Sequence, residues 1–165
     1  MILTTILIMM AAIAPGADNV NDARAIAAEI ARVAADRHEA AVMVVVAWRE
    51  SAFRASAVGD GGLARCAFQL HGAPRSVLTD LRQCTELAAE RLRASAAACP
   101  SAPLAAFASG TCERGRKISA WRMQEVAHVE RAAQKASLKA ADDLRLPEHV
   151  LADRSEPVGG DLVIR

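Results

Sequence analysis

The chain has 165 residues, 53% of them hydrophobic but only 3% aromatic, and its 20 Lys and Arg against 19 Asp and Glu leave a formal charge of +1. That balance excludes the basic field that draws nucleic acid or an anionic lipid surface, and the length suits one domain built on a single core. Alanine supplies much of the apolar content, which favours closely packed helices over a membrane protein.

In chain order, the opening run "MILTTILIMMAAIAPGA" has no charged side chain before Asp18. It has the length of a signal-peptide apolar region and is too short to span a bilayer comfortably. Ala12-Ile13-Ala14 offers a small-residue cleavage pattern, although no basic residue precedes it and Pro15 follows it. Residues 1–17 therefore read as a signal-like segment or N-terminal anchor, which makes the mature chain an exported protein with no stable membrane span. A retained apolar helix and a misplaced start codon are the other readings.

The stretch "DNVNDARAIAAEIARVAADRHE" opens on Asp and Asn as cap candidates and sets Ile26, Ile30, Val33 and Arg37 at helical spacing, predicting an amphipathic helix. The next segment, "AAVMVVVAWRES", is ambiguous, because a short β-branched run suits a buried strand as well as a buried helix. It ends in Glu50, and then Gly59, Gly61 and Gly62 around Asp60 mark a turn. Residues 76–98 predict a second helix carrying Leu78, Leu81, Leu87 and Leu92, punctuated by Pro100 and Pro103. A short helix is expected from Pro103 to a stop at Gly110. The longest helix is expected over 118–144, with Ser119 as its cap and Trp121, Val126 and Val129 near one face. Beyond Pro147 the chain reads as a loosely docked extension. The expected organisation is thus 1–17, a domain over 18–146, and an extension over 147–165.

Cys66, Cys84, Cys99 and Cys112 fall in one window without any C-x-x-C pair, which speaks against zinc. An even count in an exported chain favours disulfides, in one of three connectivities, each worth about 3 kcal/mol in the chain-entropy model. Four buried thiols are the alternative.

His38, His71, His128 and His149 are scattered, and no H-E-x-x-H, Ser/His/Asp grouping, nucleophile elbow or phosphate-binding glycine loop is present. Nothing in the chain signals a metal or an organic cofactor. Glu50 is the remaining candidate for catalysis. A carboxyl beside an apolar segment is desolvated and holds its proton longer, as a general acid must. The same residue at a solvated helix end would have no such role.

The string Glu50-Ser51-x-Phe53 followed by "ASAVGDGGLARCAFQL" resembles the signature of the soluble lytic transglycosylase and goose-type lysozyme superfamily. There a Glu-Ser pair ends a buried helix, a small-residue turn follows, and a G-x-x-Q segment comes about nineteen residues after the Glu. The downstream "CPSAPLAAFASGTCERGRKISAWR" resembles a subset of that family in which a short Tyr-bearing helix lies between two cysteines. Together these stretches cover roughly residues 22–135.

The resemblance implies a mainly α, lysozyme-like single domain stapled by disulfides, acting as a monomer on the glycan strands of peptidoglycan. It makes the ambiguous segment a helix running into Glu50. Glu50 matches the catalytic acid, Ser51 its neighbour in the cleft, and Phe68 and Gln69 the segment lining the sugar site; Phe107 falls where the family has its cleft tyrosine. One glutamate then acts as acid and base and leaves a 1,6-anhydro-muramyl end. A hydrolase instead needs a second carboxylate about 5 to 9.5 Å away. Asp60 is the nearby candidate for that role, with capping of the glycine turn as its other reading.

The implied disulfides are Cys66 with Cys84 and Cys99 with Cys112. Two departures stand out: Cys66 replaces the glycine of the G-x-x-Q segment, and Phe107 lacks the hydroxyl that contacts the catalytic Glu in the family. They point to the alternative of a non-catalytic wall-binding module in a secretion, conjugation or phage-tail assembly. Arg114, Arg116 and Arg122 are candidates to meet peptide-stem carboxylates, or else solvated charges at a helix start.

Overall fold

The computed structural model describes residues 2–16 and 18–143. The expected extension over 147–165, with Pro147 and His149, lies outside the described residues. The described chain is mainly α, and no helix in it is long and apolar enough to cross a membrane.

Among the described residues there are seven α-helices and one small hairpin between the third and fourth: α1 (Ile2–Ile13), α2 (Val20–Val33), α3 (Arg37–Ser51), β1 (Val58–Gly59), β2 (Ala64–Arg65), α4 (Arg75–Thr79), α5 (Leu81–Ala98), α6 (Ala105–Ser109) and α7 (Cys112–Asp143). Helix α3 is central. Ala40 through Ala47 are all buried, so it is apolar around its whole circumference, as a helix enclosed by others must be. Helices α1, α2 and α7 enclose it. The β-branched run is therefore a helix, and neighbours on every side explain why it shows no amphipathic period.

The first predicted amphipathic helix is two. It breaks at Ala34, whose backbone is extended, and α3 starts afresh at Asp36. The Asp36 side chain accepts the Glu39 amide at 2.8 Å, while Glu39 Oε2 accepts the Ala35 amide at 2.7 Å, a reciprocal cap. Arg93 of α5 closes the break, donating to the Val33 carbonyl at 2.9 Å and to Glu39 at 3.0 Å. The predicted helix over 76–98 is likewise divided at Asp80, which caps α5 by accepting the Gln83 amide at 3.0 Å. That hydrogen bond holds the Asp80 carboxyl below its usual pKa.

Helix α7 begins six residues earlier than expected, at Cys112. Ser119 is therefore no cap; it is fully buried, and its hydroxyl accepts the Leu104 amide at 3.1 Å. The buried stripe runs through Ser119, Arg122, Val126, Val129 and Ala133, whereas Trp121 is 47% exposed. The stripe also passes through Gly115, where α6 lies against α7. A Cβ there would sit 2.5 Å from the Ala105 Cα. Gly115→Ala should thus destabilise the fold by about 1–3 kcal/mol through overpacking, against the gain of about 1 kcal/mol that helix propensity alone promises. Urea melts of the two proteins decide the sign.

Helix α1 is part of the core. Ile6 and Met9 are fully buried, Met10 and Ala14 nearly so, and the helix packs on α7, α3 and α2. Helix α1, part of the segment expected to be a leader or anchor, thus lies in a groove between three helices, its apolar side chains against faces of matching character. The disulfides join Cys66 to Cys84 and Cys99 to Cys112, with Cα atoms 6.7 and 5.5 Å apart. This is the pairing that the resemblance implies. The first ties the segment after the hairpin to α5, and the second ties the end of α5 to the start of α7 across α6.

Candidate functional site

Glu50 lies in the last turn of α3, and the chain beyond it turns sharply. Ala52 ends the helix in the left-handed region, at φ 51°, and Phe53 follows at φ 59°. Ser51 makes this exit possible: its buried hydroxyl donates to the Ala47 carbonyl at 2.9 Å and accepts the Arg54 amide at 3.2 Å. Both bonds are to the backbone of the helix end. Ser51 supports that end and does not line the cleft, contrary to the role the resemblance implies for it. Asp22 of α2 fixes the next part of the turn, accepting the Ala55 amide at 2.9 Å.

Asp60, Cys66 and Gln69 also have left-handed backbones, at φ 47°, 63° and 47°. Among the described residues, every non-glycine with positive φ falls between 52 and 69. Such conformations cost about 1–3 kcal/mol each and gather where function requires an exact placement. Cys66 explains the glycine of the related motif, since the backbone there is one that glycine adopts freely and a residue with a Cβ adopts under strain. The disulfide to Cys84 anchors it.

This turn region faces α5 and α6 across a cleft of about 650 Å³. Glu50, Asp60, Phe68, Gln69 and Phe107 all line it, together with His71, Arg91 and Ser95. Phe68 is fully buried and forms part of the wall. The Gln69 amide donates to the Cys66 carbonyl at 3.1 Å. Its oxygen occupies the space where a side chain at Gly59 would be. Phe107 is positioned by its backbone amide, which donates to the buried Ser95 hydroxyl at 3.0 Å. Asp60 is exposed at the rim and pairs with His71 Nε2 at 3.0 Å, while Arg91 donates to the His71 carbonyl at 2.7 Å.

The main surprise lies behind Glu50. Arg122, only 8% exposed, donates from Nη2 to Glu50 Oε1 at 2.6 Å, and the Glu50 side chain itself is 23% exposed. Beside this pair, Arg49 binds Glu125 through two nitrogens, the Nε bond being 2.8 Å, and lies 4.2 Å over the Trp121 ring. Burial, and after it the charge of Arg122, hold the Arg49 guanidinium below its ordinary pKa.

Arg114 and Arg116 are exposed on the first turns of α7, away from these contacts. Arg122 is neither a helix-start charge nor a residue open to a ligand's carboxylates. Its place on the Ser119, Val126, Val129 stripe was the available signal that it points inward. His71, Arg91 and Ser95 had no such signal, because nothing local distinguishes them from ordinary helix or loop residues. Comparisons with protein-family models, curated proteins and solved structures find no match to the chain.

Proposed function

We propose that the protein is an exported peptidoglycan lytic transglycosylase with a lysozyme-like domain. The observation that carries this reading is the convergence of Glu50, Phe68, Gln69 and Phe107 on one cleft beside a backbone strained over 52–69. A glycan strand has the apolar ring faces and the amide and hydroxyl groups that such a lining suits. The two disulfides agree with an oxidising compartment, periplasmic or extracellular.

In the proposed reaction Glu50 donates its proton to the oxygen of the MurNAc-GlcNAc β-1,4 bond. The bond from C1 to that oxygen breaks, and the GlcNAc-ended strand leaves with a new 4-hydroxyl. The substrate's N-acetyl carbonyl stabilises the oxocarbenium-like centre. The C6 hydroxyl of the same muramyl residue then attacks C1 and gives its proton to Glu50, which closes the 1,6-anhydro ring and restores the acid. No water is consumed and no second carboxylate is required.

Digestion of purified sacculi followed by mass spectrometry tests the reading. Muropeptides lighter by one water than their reducing-end counterparts support it. Reducing ends in their place would establish the muramidase alternative, for which Asp60, on the same cleft, is the carboxylate to mutate next. A third reading, a wall-binding module without activity, is favoured by one observation: Phe107 offers no hydroxyl to Glu50. Retention on sacculi with no soluble product would establish it.

Gly59 offers a finer probe of the cleft. Its backbone is extended, at φ −128°, so alanine fits the local conformation, but the new methyl must displace the Gln69 amide. Gly59→Ala should change stability by under about 0.5 kcal/mol and weaken binding of soluble glycan strands about tenfold, the worth of one well-made hydrogen bond. Calorimetric titration with those strands reads the second number, and unaltered affinity would remove Gln69 from the binding surface.

A further inference from the structure

We propose that Arg122 is the positioning residue of the site: it holds Glu50 by Oε1 and sets a fixed positive charge behind the carboxylate that forms when the proton leaves. The inference rests on the transglycosylase reading and deepens it, since it supplies what Phe107 lacks.

The geometry is particular. Arg122 is 8% exposed and sits at a stripe position of α7 where its neighbours are Ser119, Val126 and Val129. Its Nε and Nη1 are buried without a hydrogen-bond partner, and Nη2 alone is engaged, on Glu50. As a source of stability this is a poor arrangement. Buried unsatisfied donors cost free energy, and an apolar side chain of similar reach would fill the space without them.

The surroundings keep Arg122 on that one partner. Glu125, three residues on along α7 and within the usual reach of a helical ion pair, is already held by two nitrogens of Arg49. Arg49 brings a second positive charge close by and is itself fixed over Trp121. Helix α1, which packs on both α3 and α7, carries no ionisable side chain. Among the described residues, Glu50 is thus the carboxylate left for Arg122.

A guanidinium at this place has two effects on the reaction. It fixes the rotation of the carboxyl, so one oxygen stays behind and the other faces the cleft, which is the orientation that proton transfer requires. It also favours the ionised carboxylate, the form in which Glu50 takes the C6 hydroxyl proton in the second half of the reaction, from a position that needs no reorganisation. The tyrosine hydroxyl of the related motif approaches from α6; here the contact comes from α7, 72 residues along the chain from Glu50.

The test uses the full chain and soluble, uncrosslinked glycan strands. Arg122→Met is expected to lower kcat about 100-fold, the cost of losing a held orientation, with KM nearly unchanged; Arg122→Lys, which keeps the charge, is expected to restore at least a tenth of the wild-type rate. A kcat for Arg122→Met equal to that of the wild type overturns the proposal. So does a loss that lysine leaves in place and that follows the fraction of folded protein measured by circular dichroism. If the wild type itself releases no anhydro product, the transglycosylase reading fails, and the contact is judged separately by urea melts of Arg122→Met, Glu50→Ala and the double variant, since alanine removes the acceptor that glutamine would keep. A double variant more stable than the sum of the single losses supports the contact, and simple additivity overturns it.

Discussion

Glu50→Gln should reduce the release of anhydro-muropeptides by about three orders of magnitude while the protein remains folded. General acid catalysis by one positioned group contributes about 100- to 10,000-fold, and here the same group also serves as the base, which sets the size of the loss. Glutamine has the shape of the acid and can still accept the Arg122 hydrogen bond through its amide oxygen, so the contact from α7 persists. What it lacks is a proton it can give up. The check pairs a sacculus digest with a thermal melt. Loss of product at an unchanged melting temperature assigns the chemistry to Glu50, and cleavage at the wild-type rate ends the single-acid mechanism.

Ile6→Ala carries the other large effect, and it falls on stability. Ile6 is fully buried on α1, which packs against α3 and α7. Truncating a buried Ile to Ala costs about 2–5 kcal/mol, from lost transfer energy and from the cavity left behind. Against a total stability of about 5–15 kcal/mol this is a large share, and for a chain of this size it lowers the melting temperature by roughly 10 °C. A leader or anchor that stands apart from the domain predicts no change at all. Calorimetry on the wild type and the variant therefore separates a core helix from an attached segment, and an unaltered melting temperature would remove α1 from the cooperative fold.

Much of the helical architecture was legible locally. Turn and cap residues act on their nearest neighbours, so the stop at Gly110 and the glycine turn around Asp60 can be read from composition and order. The boundaries that differ do so where a capping residue sits inside a periodic run. Asp36 and Asp80 each look like one more polar residue on a helix face, yet each has an extended backbone and begins a new helix. Ser119 differs in the opposite direction: it has the chemistry of a cap, but packing against α6 buries it seven residues inside α7.

The candidate site divides in the same way. Glu50, the glycine turn and Gln69 lie within twenty residues, and it was the resemblance to the transglycosylase motif carried by that stretch that nominated them together. Ser51 matched the motif, but its hydroxyl serves the helix end and not the cleft.

By itself the sequence determined the helical class, the position of Glu50 at the end of an apolar segment, and the turn that follows, because these depend on interactions a few residues apart. Only the tertiary structure decided that the apolar N-terminal run packs inside the domain and that the guanidinium of Arg122 meets Glu50. An apolar stretch has the same composition whether it faces lipid or a groove between helices, and a charge on a helix can be solvated or paired. Which of these holds depends on the side chains that distant helices bring against it, and the local pattern carries no record of them.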